Sequence, residues 1–132
     1  MPLFGLFDKD PIPPGVPSWA AADYARWTRP LSEQELGAIY DEFNRLIDER
    51  MRTHDDGQQI HTAGWIPGSD WRGTVWEPIY EKSADGDPDQ AALCFGLMCF
   101  VAFTRRDEKW IVGKFEKNGE PIRSNTYFMA RA

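Results

Sequence analysis

A short stretch of the chain, residues 61–80, concentrates the side chains that could bind or transform another molecule. Its ring-bearing and polar residues are His61, Trp65, Asp70, Trp71, Arg72, Trp76, Glu77 and Tyr80. Three glycines and a proline within residues 61–73 make regular secondary structure unexpected over most of it. Large rings beside polar groups are typical of binding loops, because the rings exclude water and the polar groups fix orientation. The binding residues predicted on this basis are Trp65, Trp71, Arg72, Trp76 and Tyr80.

The same tryptophans have a purely structural interpretation. In a small domain, large rings can anchor a long glycine-rich loop to neighbouring helices without contacting any ligand. The two interpretations differ in one observable, namely whether Trp65 and Trp71 line an open cleft together with His61 and Asp70 or pack as a closed plug.

A hydrolase is the second hypothesis for this stretch. His61 would be its centre, with Asp70 and Glu77 as supporting acid, base or ligand groups. A metal-assisted version would use His54, Asp56 and His61, since two imidazoles and a carboxylate can bind Zn²⁺ or Fe²⁺. However, the sequence has neither the helical His spacing of a metalloprotease nor a CxxC pair. We therefore expect a binding protein without a cofactor rather than an enzyme.

The two cysteines do not suggest nucleophilic catalysis. Cys94 and Cys99 lie within the apolar run Ala91–Phe103, where burial keeps a thiol protonated and inert. Neither a helix nor a strand would bring them close enough for a disulfide. Free thiols are compatible with a reducing compartment, so we expect a cytoplasmic protein.

Charge and hydropathy exclude some classes of partner. With 15 basic and 21 acidic side chains the formal net charge is −6, which disfavours direct binding of double-stranded DNA. The longest apolar run, Ala91–Phe103, is shorter than a bilayer span, and residues 1–9 do not have the pattern of a signal peptide. We expect a soluble protein whose partner is another protein or a small aromatic or apolar ligand. A third hypothesis is an acidic inhibitor of a nucleic-acid-binding protein. Homo-oligomerisation does not follow from the sequence.

The elements that would position residues 61–80 are predicted from capping and periodicity. Apolar residues recur at three- and four-residue spacing over 32–52, behind a Ser32–Glu35 capping box, which predicts a helix. Asp87 and Pro88 are typical of a helix start, and the apolar run behind them predicts a buried helix over 88–105. A Thr74–Glu77 capping-box pattern favours a helix over 75–83, although a strand stays possible there.

The two ends of the chain complete the predicted fold. Asn118–Gly119 is typical of a two-residue hairpin turn and predicts strands over 109–117 and 120–130. Residues 1–30 contain six of the ten prolines and several large rings, which predicts an irregular arm wrapped around a single globular domain of residues 31–132. The predicted class is therefore α+β, with two to three helices and a C-terminal antiparallel β-hairpin.

Overall fold

The fold is known from a computed structural model, which describes residues 16, 20–53, 59–68, 70–108, 110–113, 116–117, 120–121 and 126–129. Several of these residues, including Thr53, His61 and Ala63, are described at the level of the backbone. The α-helices are α1 (Ala21–Thr28), α2 (Glu33–Thr53) and α3 (Pro88–Thr104). They are accompanied by a short 3₁₀ helix, Ala63–Trp65, and a π-helix, Ile79–Ser83.

The predicted α+β class is wrong, because the described molecule is mainly helical. Among the residues described together with their side chains, 67% are in helices and 4% in strands. The physical reason is the distribution of the core, most of which is supplied by α2, α3 and the segment between them. The strands are short and contribute few described core side chains: Ile60, Trp110 and Tyr127.

The predicted helix over 32–52 is confirmed as α2. The Ser32 amide donates to Glu35 Oε1 at 2.9 Å, and the Glu35 amide donates to Ser32 Oγ at 3.0 Å. This is the reciprocal capping box, which satisfies amides that have no partner in the first helical turn. The buried face of α2 consists of Ile39, Phe43 and Ile47, all fully buried.

The predicted buried helix over 88–105 is confirmed as α3. The Asp87 carboxylate accepts from the amides of Asp89 and Gln90, and Pro88 occupies the first turn. The buried side chains of α3 are Ala91, Cys94, Phe95, Met98, Cys99, Val101, Ala102, Phe103 and Thr104. Because α3 is apolar on nearly all sides, its stability depends on being packed by the rest of the chain.

The segment predicted as a helix over 75–83 forms a shorter and wider helix. Residues Ile79–Ser83 are π-helical, and the Ala84 amide donates to the Ile79 carbonyl, five residues earlier, at 2.9 Å. Two neighbours hold this π-helix in place. Lys82 Nζ donates to both carboxylate oxygens of Glu35 at 2.8 and 2.9 Å, and Ser83 Oγ donates to the carbonyl of Trp27.

The predicted C-terminal hairpin over 109–117 and 120–130 is not formed as one continuous ladder. Short strands β1 (Gln59–His61), β2 (Trp110–Gly113) and β5 (Thr126–Met129) pair antiparallel in the order β1–β5–β2. Strands β3 (Glu116–Lys117) and β4 (Glu120–Pro121) form a separate pair.

The reason for the break is a change of register. Near the turn Lys117 pairs with Glu120, and that register would place Gly113 opposite Ser124. Gly113 instead pairs with Thr126, two residues further along. The two ladders therefore cannot be joined without extra residues on the returning strand. The pairing of β1 with β5, which the sequence did not predict, uses the residues that precede the 3₁₀ helix.

Most of the predicted N-terminal arm, residues 1–15 and 17–19, lies outside the described residues. Its last part forms α1, which packs against α3 and the π-helix and buries Trp27 to 6% exposure. No helix in the described part of the chain combines the length and apolarity needed to cross a membrane.

Candidate functional site

Two of the three tryptophans in residues 61–80 belong to one aromatic cluster in the core. The Trp76 ring lies 4.6 Å from Phe43 and 4.8 Å from Phe95, measured between ring centroids. Trp71 meets the same Phe95 edge-on at 6.1 Å. Only 4% of Trp71 and 6% of Trp76 is exposed, so these rings attach the loop to α2 and α3.

The third tryptophan, Trp65, lies in a different part of the core. Its ring is parallel to that of Phe103, with the ring centroids 6.4 Å apart. Phe103 is in turn stacked on Tyr127 at 3.7 Å and meets Trp110 edge-on at 4.8 Å. Trp65 is 7% exposed, and its ring contact is with Phe103, whereas the ring contacts of Trp71 are with Tyr80 and Phe95. All three tryptophan rings therefore pack mainly against other core rings.

The open surface of the loop is a cleft of about 470 Å³ beside Trp71. Its lining residues are Asp70, Trp71, Arg72, Glu77, Tyr80 and Glu81. Three of the predicted binding residues, Trp71, Arg72 and Tyr80, are thus brought together, whereas Trp65 and Trp76 are not part of this cleft. Both carboxylates of the hydrolase hypothesis also line it. We refer to this feature below as the Trp71 cleft.

One wall of the Trp71 cleft is an exposed ion pair. Arg72 Nε and Nη2 donate to the two carboxylate oxygens of Asp70, both at 2.9 Å, and the Arg72 amide donates to Asp70 Oδ1 at 3.0 Å. The guanidinium side chain is 82% exposed and the carboxylate side chain 56%. Hydrogen bonds from the Arg72 side chain, then from its amide, lower the pKa of Asp70 from 3.8 to about 2.

A second carboxylate, Glu77, stabilises the turn that leads into the cleft. Its Oε2 accepts from the Gly73 amide at 3.0 Å. Gly73 has a φ of +76°, a conformation in which a side chain would be strained. Thr74 Oγ1 donates to the Trp71 carbonyl at 2.7 Å and accepts from the Trp76 amide at 3.3 Å. The predicted Thr74–Glu77 capping box is thus replaced by bonds that fold the turn onto Trp71.

The π-helix supplies the opposite wall. Tyr80 lies in its second position, with its ring 6.0 Å from that of Trp71, and Glu81 follows it. π-Helical turns are rare, and they occur frequently at functional sites. Glu81 is not among the residues predicted from the sequence. The one signal for it was its spacing of four residues from Glu77 in a helical segment, which places both carboxylates on a common side.

A second hollow, of about 550 Å³, lies on the other side of the loop. Its lining residues are Ala38, Asp41, Glu42, Arg45, Thr74, Val75 and Trp76. Arg45 forms ion pairs there with two carboxylates of its own helix. Its Nε lies 2.6 Å from Glu42 Oε1, and its Nη1 lies 3.1 Å from Glu49 Oε2. Trp76 therefore borders this hollow rather than the Trp71 cleft.

The residues of the metal hypothesis fall mainly outside the described part of the chain. His54 and Asp56 are not described, and His61 is described by its backbone in β1. Within the described residues, no three His, Cys, Asp or Glu side chains form a group that could hold a metal ion. The cleft residues Asp70 and Glu77 are engaged by Arg72 and by the Gly73 amide.

Comparison with known proteins gives no relative from which a function could be carried over. No protein-family model matches the chain, no curated protein matches its sequence, and no solved structure matches its fold.

Proposed function

We propose that the protein is a non-enzymatic binding protein whose contact site is the Trp71 cleft. The observation that carries this proposal is the construction of the cleft. A charged, solvent-open rim lies over an aromatic floor that is fixed to α3 through Phe95. A rigid support of this kind lowers the entropic cost of binding, because the site is formed before the partner arrives.

The partner group that this cleft fits best is a cation, such as a lysine or arginine side chain of another protein. The rim has three carboxylates, on Asp70, Glu77 and Glu81, against the single guanidinium of Arg72. Arg72 is already paired with Asp70. Tyr80 also lines the cleft and supplies an aromatic ring, a group beside which organic cations bind favourably. The sequence led us to expect a protein or a small aromatic or apolar ligand as the partner. The charges of the cleft favour the first of these, a protein with a basic surface.

The other two hypotheses gain no support from the described geometry. As general acid, Asp70 would have to stay protonated, and Arg72 holds its pKa at about 2. An acidic inhibitor needs a continuous face of free carboxylates, whereas several described carboxylates form ion pairs with nearby bases. These pairs are Arg26–Asp23, Arg45–Glu42, Arg45–Glu49, Arg72–Asp70, Lys82–Glu35, Arg106–Asp48 and Arg106–Glu108.

We also propose a cytoplasmic location. The argument is that Cys94 and Cys99 are free and buried, which suits a compartment that keeps thiols reduced.

The binding proposal is tested by titrating the protein with an acetylated hexalysine peptide and following amide shifts by NMR. We expect the shifts to concentrate on residues 70–81. Glu81→Gln should weaken binding about two- to fivefold, because one exposed charge pair contributes roughly 0.5–1 kcal/mol. The matched control is Glu33→Gln, which removes the same charge from the exposed start of α2.

Two results would contradict the proposal. One is an equal loss of affinity in Glu81→Gln and Glu33→Gln, which would indicate unspecific attraction to the net negative charge. The other is a set of shifts spread along α2 with none at residues 70–81.

A further inference from the structure

One cation already lies in the Trp71 cleft, and it belongs to the protein itself. Arg72 holds the Asp70 carboxylate through two parallel hydrogen bonds, from Nε to Oδ1 and from Nη2 to Oδ2, each 2.9 Å long. Both residues line the cleft, so their ion pair occupies part of the surface on which the proposed binding function depends. A partner that uses every carboxylate of the rim has to compete with Arg72 for Asp70.

The ion pair between Asp70 and Arg72 can open without disturbing the fold. The Arg72 side chain is 82% exposed, and the Asp70 side chain is 56% exposed. Ion pairs as exposed as this one are screened by solvent and contribute little to stability. When the guanidinium leaves, the Arg72 amide can still donate to Asp70 Oδ1, because that 3.0 Å bond comes from the backbone. The carboxylate therefore keeps its position in the cleft and is available to another cation.

The geometry of the ion pair also defines which cation can replace Arg72. A guanidinium presents two parallel N–H donors that match the two oxygens of a carboxylate, whereas an ammonium group acts as a point charge. Another arginine can therefore reproduce both bonds to Asp70, and a lysine cannot. Glu77 and Glu81, which also line the cleft, attract a cation of either kind.

We propose that Arg72 is an internal occupant of the Trp71 cleft and that the partner displaces it with an arginine side chain of its own. This inference rests on the binding function proposed above, and it specifies the partner as a protein surface that presents a guanidinium. Arg72 then determines specificity, since a cation without two parallel donors leaves the Asp70–Arg72 pair in place. It also limits affinity, because the arginine of the partner has to open that pair.

The direct test follows the side chain of Arg72 by NMR in the full chain labelled with ¹⁵N. The probe is an unlabelled acetylated hexa-arginine peptide, so that only arginines of the protein are observed. We expect the Arg72 Nε–H signal, assigned by its loss in Arg72→Gln, to move to the position of an unpaired arginine as the peptide binds. The Nε–H signal of Arg45, which donates to Glu42 at 2.6 Å, should stay unchanged. Acetylated hexalysine should shift the amides of residues 70–81 and leave the Arg72 Nε–H signal in place.

Affinity provides a second measurement with a matched control. Arg72→Gln frees Asp70, which stays ionised at neutral pH because its ordinary pKa is 3.8. We expect this variant to bind the hexa-arginine peptide about two- to fivefold more tightly, the range that one exposed charge pair allows. The control is Arg26→Gln, which removes the same charge from the exposed pair Arg26–Asp23 on α1. Arg26→Gln should leave the affinity nearly unchanged.

The outcomes separate this proposal from the binding function on which it rests. Shifts at residues 70–81 with an unmoved Arg72 Nε–H signal would overturn the displacement and leave the binding function intact. An equal gain in affinity in Arg72→Gln and Arg26→Gln would also overturn it, and so would displacement of Arg72 by hexalysine as complete as by hexa-arginine. If neither peptide shifted residues 70–81, both proposals would be wrong.

Discussion

The ion pair between Asp70 and Arg72 gives the Trp71 cleft a defined pH response. The pKa of Asp70 is lowered from 3.8 to about 2, so its contribution to stability is fully present above pH 3.8 and is lost as pH falls through about 2. Arg72→Gln removes the guanidinium with its charge and its paired hydrogen bonds, and we expect the pKa of Asp70 to rise towards 3.8. A carboxyl-carbon NMR titration measures this value directly. Arg45→Gln, on α2, should leave the Asp70 titration unchanged, and an unchanged titration in Arg72→Gln as well would contradict the assigned cause.

Trp76 is a core residue, and its removal should destabilise the whole protein. Its ring lies between Phe43 and Phe95, and 6% of the side chain is exposed. Trp76→Ala should therefore lower the free energy of unfolding by roughly 3–5 kcal/mol, measured by chemical denaturation. Arg72→Ala, at an exposed position of the same loop, should leave the free energy of unfolding nearly unchanged. A loss below about 1 kcal/mol in Trp76→Ala would place the ring outside the core.

These rings illustrate what the sequence could predict about single residues. The density of tryptophans in residues 61–80 predicts that the loop is attached to something large and apolar, and this holds for Trp65, Trp71 and Trp76. It does not predict whether that surface belongs to the protein or to a partner, because a ring buries similar area against either. Glu81 could not be predicted as a site residue, because exposed carboxylates are common in helical segments. Only the structure shows that it lines a cleft together with Asp70 and Glu77.

Arg106 joins the end of α3 to α2, and we expect it to contribute more to stability than a similar arginine on the surface. Its guanidinium donates to Glu108, Asn44 and Asp48, and its side chain is only 14% exposed. Removal of these bonds leaves polar groups without partners at a half-buried contact. Arg106→Ala should therefore lower the free energy of unfolding by about 1.5–3 kcal/mol in urea denaturation.

Arg45 provides the matched control for this prediction. It also contacts two carboxylates, Glu42 and Glu49, but 58% of its side chain is exposed. Solvent screens such pairs, so Arg45→Ala should lower the free energy of unfolding by clearly less than Arg106→Ala does. Equal losses in the two variants would show that burial of the Arg106 contacts adds nothing.

At the level of elements, local chemistry was predictable and long-range register was not. The capping residues Ser32 and Asp87 determine where α2 and α3 begin, because their bonds form within one helical turn. The Asn118–Gly119 sequence, which is typical of a hairpin turn, carries similar local information. It could not indicate that Gly113 pairs with Thr126, since that register depends on how β5 also pairs with β1. The π-helix could not be predicted from the sequence either. Its hydrogen bonds join residues five apart instead of four, and the side-chain pattern does not distinguish the two spacings.

The wrong fold class has the same origin on the scale of the whole molecule. A class depends on which elements hold the core together, and here α2 and α3 do so through Phe43 and Phe95, 5.1 Å apart. Hydrophobic periodicity predicted α2 and its buried face, and the apolar run behind Asp87 and Pro88 predicted α3 as a buried helix. Neither pattern indicates how few core side chains the strands contribute. The Asn118–Gly119 turn signal therefore led to a predicted class that contains a β-layer, whereas the described core is mainly helical.

The two thiols of α3 provide a test of the whole fold. Cys94 and Cys99 are buried, and desolvation raises the pKa of Cys94 from 9.0 to about 12 and that of Cys99 further still. Since the reactive form is the thiolate, neither should react with a disulfide reagent at pH 8 while α3 remains packed. The unfolded chain, with ordinary thiols, should react at once.

Labelling of both cysteines should therefore occur together and at the rate of global unfolding, because both thiols are buried where α3 packs against α1, α2 and the π-helix. The pH dependence has a definite sign. Above pH 9 the unfolded thiols ionise while the folded ones stay protonated, so stability should fall as pH rises towards 12.

Trp76→Ala should accelerate labelling of both cysteines, because it lowers the free energy of unfolding. Chemical denaturation measures that loss of stability independently. Rapid labelling of one cysteine in the stable wild-type protein would instead indicate that α3 opens locally, and the helix would no longer be the centre of a single cooperative core.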